Sequence, residues 1–248
     1  MKKIKVLDCT LRDGGYVNDW NFGKDNIKEI IRKLNEANID IIECGFLKDN
    51  INQFDINRTN YGSFDDLIAL DNNLFKNNRT YALMMLAETY DISNLVDRSQ
   101  NFVDTIRLSF HKRDIKKAIE MSKIIKEKGY NLYLQPTATM RYTDLEIKEL
   151  INVCNQDIKP NSIAIVDTFG EMIDDDIIHF TKLFDKYLND DITLAFHSHN
   201  NIQTSYSNVI LFINNIKKDR EIVIDASIFG MGRGAGNLCS ELIINYLN

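Results

Sequence analysis

Short β-branched runs alternate with amphipathic stretches from one end of the chain to the other, and no other feature limits its fold so strongly. Eight runs read as strands: 4–8, 39–46, 80–86, 105–110, 131–135, 162–167, 192–197 and 222–228. The intervening segments carry helical spacing. Ile27, Ile30, Ile31 and Leu34 share a face in 24–38, as do Ile115, Ala118, Ile119 and Ile124 in 113–128. Each strand is therefore expected to have its own return helix. Ser63, Thr143 and Asp174 stand where N-caps belong, Gly129 closes a helix, and Pro136 and Pro160 fall at junctions. Nothing in the composition divides the chain, so residues 1–248 are expected to form one domain. Eight strand-plus-helix units in this length fit an α/β fold of the closed kind, a (β/α)8 TIM barrel. An open doubly wound sheet would carry a glycine-rich phosphate loop after its first strand. The loop here reads Asp8-Cys9-Thr10-Leu11-Arg12-Asp13-Gly14-Gly15-Tyr16 instead.

Composition narrows the function. A net charge of −6 argues against a nucleic-acid surface, and Lys112-Arg113 and Lys116-Lys117 read as the solvated face of a helix. The cysteines, Cys9, Cys44, Cys154 and Cys239, lie far apart with no CxxC pair, which suggests reduced thiols rather than a zinc knuckle or a disulfide framework. No apolar stretch reaches the length of a signal peptide core or a membrane span, so the expectation is a cytoplasmic protein with no membrane partner. The asparagine-rich stretch 49–60 is the longest irregular segment, either an active-site loop or a passive surface one.

In a barrel the loops after the strands open on one rim, where ligands and catalytic groups gather. The seventh strand delivers His197-Ser198-His199-Asn200-Asn201. Alternate residues of a strand share a face, so the two histidines project together as metal ligands must, although two polar residues at a frayed strand end look the same. Closure separates the first and seventh strands by the eighth alone and gives the pair a carboxylate neighbour, Asp13. Taken alone, Asp13 is as easily a turn carboxylate. One oxygen and two nitrogens leave coordination positions open for water and substrate, as a catalytic metal does. Arg12, a surface cation by itself, would suit an enolate beside that metal. Glu43 sits among aliphatic residues and needs a partner, Arg12 or a metal-bound water. Arg107 and His111, Gln135 and Thr137, and Asp167-Thr168 flank further strand ends. After the eighth strand, Gly230-Met231-Gly232-Arg233-Gly234-Ala235-Gly236-Asn237 turns into the last helix, where barrels often build an anion site.

Taken in order, Asp8 to Gly14, the Glu43 strand end, His197-Ser198-His199-Asn200 and Gly230 to Asn237 resemble the DRE-TIM metallolyases, whose domain is also described as pyruvate carboxyltransferase or HMG-CoA-lyase-like. The glycine-rich turn is most similar to that of the 4-hydroxy-2-oxovalerate aldolases. The resemblance implies a divalent cation on Asp13, His197 and His199, with Asn237 as a further ligand or a group that orients one. It implies an enolate stabilised by Arg12, with Glu43 and Thr168 in support. The reaction implied is aldol cleavage of a 4-hydroxy-2-keto acid to a pyruvate-type enolate and an aldehyde. Gln135, like Thr168, would touch the substrate. Mn2+ or Mg2+ suits this ligand set best, with Zn2+ or Co2+ as alternatives.

The chain departs from that pattern at one point of consequence. Those aldolases place a basic histidine shortly after the Arg-Asp pair, where Tyr16 stands here. Tyr16, His111 or a metal-bound water must then move the proton, or the substrate differs. HMG-CoA lyases carry a reactive cysteine in the glycine-rich turn, and here Cys239 lies beyond it. The sequence stops at Asn248, which sets the expectation of neither a condensing-synthase C-terminal region nor a docking extension for a channelling dehydrogenase. A homo-oligomer is expected on general grounds. The alternatives are a Claisen-type condensation of a keto acid with an acyl-CoA, and a barrel that binds metal and keto acid without turnover.

Overall fold

The computed structural model describes residues 3–49, 51, 53–75, 79–217 and 219–248. Eight parallel strands close into a barrel: β1 (Ile4–Asp8), β2 (Ile41–Leu47), β4 (Thr80–Leu86), β5 (Thr105–Phe110), β6 (Asn131–Pro136), β7 (Ser162–Asp167), β8 (Thr193–Ser198) and β9 (Ile222–Ala226). Each pairs with the next in that order, and β1 completes the ring by pairing with both β2 and β9. A two-residue strand, β3 (Asn60–Tyr61), adds to the end of β2 and draws the asparagine-rich segment against the mouth. Residues 50 and 52 of that segment lie outside the described residues. The helices are α1 (Lys24–Glu36), α2 (Phe64–Ile68), α3 (Ile115–Glu127), α4 (Asp144–Val153), α5 (Asp174–Tyr187), α6 (Ser205–Asn215) and α7 (Ser240–Leu247). None of the described helices is long and apolar enough to cross a membrane.

Strand parity sorts the apolar residues into two bodies. Residues facing outward, such as Ile42, Leu83, Ile106, Ile163, Leu194 and Ile224, pack with the helices in one continuous cluster. The inward residues Leu7, Ile41, Ala82, Tyr133, Ala164, Ala195 and Val223 fill the lower barrel as a separate apolar plug. Two residues beyond Ile41, Tyr133, Ala195 and Val223 the inward side chains change character to Glu43, Gln135, His197 and Asp225, and Arg107 joins them from β5, all buried. The site is thus built on the upper storey of the barrel interior.

Local chemistry explains the helix ends. Ser63 and Thr143 form capping boxes with Asp66 and Glu146. Gly129 follows α3 with φ +87°. Asp174 is a first-turn residue rather than a cap, because Asp176 accepts the backbone N–H of Ile173 and takes the capping role. The expectation of one return helix per strand fails between β4 and β5, where the chain crosses in two 3-10 turns, Ile92–Asn94 and Arg98–Gln100. Asp91 and Asn101 accept backbone N–H groups of Ser93 and Val103 there, so side chains satisfy the backbone in place of a helix. The last barrel strand ends at Ala226 rather than at 228, because the glycine-rich turn begins with a 3-10 turn at Ile228–Gly230.

Candidate metal centre

The turn after β1 aims Arg12 and Asp13 back across the barrel mouth. Backbone N–H groups of both donate to Cys9 O, at 3.1 and 2.8 Å, while Thr10 N donates to Asp8 Oδ1. Trp20 Nε1 then donates to Arg12 O at 2.7 Å. That approach needs Gly15, since a Cβ there would stand 2.1 Å from the indole. From β8, strand parity carries the inward row of Ala195 on through His197 to His199.

Asp13, His197 and His199 converge, with one ligand atom of each lying within 4.8 Å of the others. Asp13 Oδ2 is 3.2 Å from His199 Nε2 and 4.0 Å from His197 Nε2. Cis ligands of a divalent cation about 2.1 Å away stand roughly 3–3.5 Å apart, so small side-chain adjustments suffice to coordinate one. The imidazoles are oriented for it. His197 Nδ1 donates to Asp225 Oδ2 at 3.0 Å and His199 Nδ1 donates to the carbonyl of Asp167 at 3.0 Å. Both protons are thereby held on Nδ1, which leaves both Nε2 lone pairs turned toward Asp13. Burial pushes the Asp13 carboxyl up, but the Arg12 guanidinium beside it prevails and holds it well below the usual carboxylate range. Burial lowers the pKa of His197 against the pull of Asp225, which keeps the ring neutral. An ionised carboxylate and two imidazole nitrogens form the kind of donor set that a divalent cation accepts. Asn237, joined to His199 through a backbone bridge, gives its Nδ2 to Met231 O at 3.1 Å and keeps a buried Oδ1 with no partner among the described residues.

Beneath the triad runs a buried chain of charges. Arg12 Nη1 donates to Asp13 Oδ1 at 2.6 Å and Arg12 Nε to Glu43 Oε2 at 2.9 Å. The same Glu43 oxygen accepts from Arg107 Nη1 at 2.7 Å, and Arg107 Nη2 donates to Asp225, the partner of His197. One continuous path therefore links His197, Asp225, Arg107, Glu43, Arg12, Asp13 and His199. Burial opposes the charge on Arg107, yet Asp225 and Glu43 raise its pKa above the ordinary guanidinium value. Burial likewise raises Asp225, and Arg107 with His197 overcomes it and keeps the carboxyl ionised.

Above the triad opens a cavity of about 90 Å³, lined by Arg12, Asp13, His197 and His199, by Ser109, Gln135, Thr137 and Thr168, by the apolar side chains of Phe46, Met84, Leu86 and Val166, and by Tyr16 and Arg233 at its rim. Gln135 Nε2 is buried without a partner among the described residues and so remains available to a ligand. Thr168 Oγ1 accepts the Ala138 N–H at 2.7 Å, which sets a left-handed residue (φ 55°) in the loop after β6.

Of the residues singled out from the sequence, Arg12, Asp13, Tyr16, Gln135, Thr168, His197 and His199 meet in this cavity. Two do not. Glu43 is fully buried under Arg12 and reaches no ligand directly, so it is a positioning residue rather than a proton carrier. His111 lies outside the cavity, 44% exposed and 3.5 Å from Glu88 on the outer surface, because the chain turns outward into a 3-10 turn directly after β5. Asp225 and Arg233 were missed. Asp225 carried a legible signal, an acid at an inward position of an otherwise aliphatic strand, Ile-Val-Ile-Asp-Ala.

The HMGL-like family model matches residues 3–248. The 4-hydroxy-2-oxovalerate aldolase of Geobacillus genomosp. 3 is 25% identical over 99% of this chain and 70% of its own. An oxaloacetate decarboxylase of Mycobacterium tuberculosis is 21% identical over 96% of this chain and 68% of its own. The chain thus spans about two thirds of the length of these relatives. A crystal structure of the N-terminal domain of a candidate aldolase from Bacteroides vulgatus superposes with a TM-score of 0.82 at 29% identity, covering 98% of this chain and 79% of the other.

Proposed function

The chain belongs to the HMGL-like family, that of the DRE-TIM metallolyases, and on that premise we propose that it is an aldolase acting on a 4-hydroxy-2-keto acid. The observation that carries this reading is the orientation of the triad. Both histidines spend Nδ1 on acceptors in the protein and present Nε2 to an ionised Asp13, with the Arg12 guanidinium alongside. Asp13, His197 and His199 would hold the metal, Mn2+ or Mg2+, with Asn237 beside them. When bound, that ion would act as a Lewis acid toward the keto and carboxylate oxygens of the substrate.

The residues around it supply the rest. Arg12 stands where the enolate oxygen gathers charge, and its guanidinium is pinned in place by Asp13 and Glu43 before any substrate arrives. Gln135 and Thr168 border the keto-acid half of the cavity. In the cleavage direction the 4-hydroxyl loses its proton and the C3–C4 bond breaks. Its electron pair passes to C3 as the enolate, the aldehyde departs, and C3 then takes a proton to give pyruvate or a homologue. Tyr16 is the titratable residue at the cavity's open end that neither holds the metal nor pairs in the buried chain, and it is assigned the proton on the 4-hydroxyl.

Chelation should abolish cleavage, and Mn2+ or Mg2+ should restore it. Asp13→Ala and His199→Ala should each reduce kcat by at least about 10³-fold while the circular dichroism spectrum stays that of the parent. Full activity in a chelated enzyme, or in either variant, refutes the assignment.

A further inference from the structure

The cavity is electrically lopsided. Two guanidinium groups line it, Arg12 and Arg233, against a single carboxylate, Asp13. Arg12 and Asp13 answer each other at 2.6 Å, and Glu43 takes the rest of the Arg12 charge. Arg233 has no ion pair and no side-chain hydrogen bond among the described residues; its contact is the ring of Tyr16, 5.8 Å away. Apart from the triad, the remaining wall is uncharged: Ser109, Thr137 and Thr168 among the hydroxyls, and Phe46, Met84 and Leu86 among the apolar side chains.

The root of Arg233 is held firmly although its head is free. Gly236 N donates to Arg233 O at 3.1 Å, Ala235 N to Asn201 Oδ1 at 2.8 Å, and Asn237 N to Gly230 O at 2.8 Å. Gly236 is required for this turn. Its φ is +95°, and a Cβ would stand 2.1 Å from Gly230 O. Below, Tyr16 packs edge-on against Trp20 with ring centroids 4.8 Å apart and offers the guanidinium a flat seat. A pre-positioned, unanswered guanidinium over an aromatic face is an oxyanion receptor of the forked kind.

We propose that Arg233 binds an anionic group, carboxylate or phosphate, on the aldehyde half of the substrate. The proposal rests on the aldolase reading above, in which the triad and Arg12 consume the keto-acid end and the fragment beyond C4 points to the rim. An uncharged short aldehyde would leave the rim cation facing no counter-charge. A 4-hydroxy-2-keto acid with a second anionic terminus fills both ends of the cavity.

Condensation of pyruvate, with Mn2+, is to be measured with succinic semialdehyde, glyceraldehyde 3-phosphate and butanal. The parent enzyme should prefer one of the anionic aldehydes to butanal by at least about tenfold in kcat/KM, carried in KM; the favoured one identifies the oxyanion. In Arg233→Gln that ratio should collapse to less than about twofold whatever the absolute rates, and Arg233→Lys should restore part of it. No preference in the parent, or a ratio that survives Arg233→Gln, overturns the proposal. A second readout stands apart from turnover. Trp20 is the single tryptophan of the chain and lies against Tyr16, so its fluorescence reports on the rim. Titration with succinate and with inorganic phosphate should give a saturable change whose Kd rises at least about tenfold in Arg233→Gln. Equal Kd values in parent and variant, or no saturable change in the parent, count against the anion site. Should no aldehyde be turned over while this titration behaves as expected, the aldolase reading fails and the anion site stands.

Discussion

The floor and the rim of the cavity are built on opposite principles. On the floor, Arg12, Arg107, Glu43 and Asp225 are buried, and each charge touches one or two of the opposite sign. At the rim, Tyr16 and Arg233 are exposed and hold each other only through a cation–π contact. A buried charge without a counter-charge costs several kcal/mol, so the floor has little freedom to vary one residue at a time. The rim is under no such constraint. The contrast separates the two proposed roles: the floor would fix the triad and the guanidinium beside it, and the rim would choose the second fragment.

The contrast breaks first if the floor proves tolerant. Arg107→Leu strips Glu43 and Asp225 of their shared cation and should cost about 3–5 kcal/mol in urea denaturation. Arg233→Gln at the rim should stay within about 0.5 kcal/mol. Equal losses would erase the distinction.

The next largest effect compares two carboxylates of one loop. Asp13 is kept ionised by Arg12, whereas Asp8 is buried with no cation beside it among the described residues and accepts from Thr10 N and Ser240 Oγ. Burial pushes the Asp8 carboxyl up from 3.8 to about 6. A raised folded-state pKa means that the native protein binds this proton more tightly than the unfolded chain. The stability from Asp8 is therefore fully present below about pH 4 and is lost as pH rises through about 6. Relative to Asp8→Asn, the parent should lose on the order of 3 kcal/mol between pH 4 and 7, read from denaturation midpoints. A flat difference across that range would place Asp8 among the ionised floor residues.

The smallest change sharpens the rim. Tyr16→Phe keeps the ring against Trp20 and Arg233 and removes only the hydroxyl. Stability should hold, while cleavage should slow by about 10²-fold, the lower end of what a positioned proton carrier contributes. An unchanged rate would move the proton to bound water.

Much of this was written in local pattern. The strand and helix alternation announced the barrel, and parity along β8 set His197 and His199 on one face. The order of the Arg12-Asp13 loop, the Glu43 strand, the histidine pair and the glycine-rich turn indicated the family that the matched residues 3–248 bear out. The irregular crossing between β4 and β5 was not legible, because Asp91 and Asn101 show only in the folded chain that their side chains capture the backbone there. His111 misled for a related reason. It follows a strand that points to the mouth, but whether the next residue faces in or out depends on the turn taken there.

Most elements, the inward face of each strand and the residue types available at the rim were legible in the chain alone, because they follow from periods of two and 3.6 residues along one segment. Which of these residues meet is set by the folded ring. Asp13 and His199 are 186 residues apart, and Arg107 and Asp225 are 118 apart. Their pairing depends on closure of the ring and on the stagger between its strands, which no single segment encodes. The same closure left Arg233 without a counter-charge among the described residues, a property of the whole cavity.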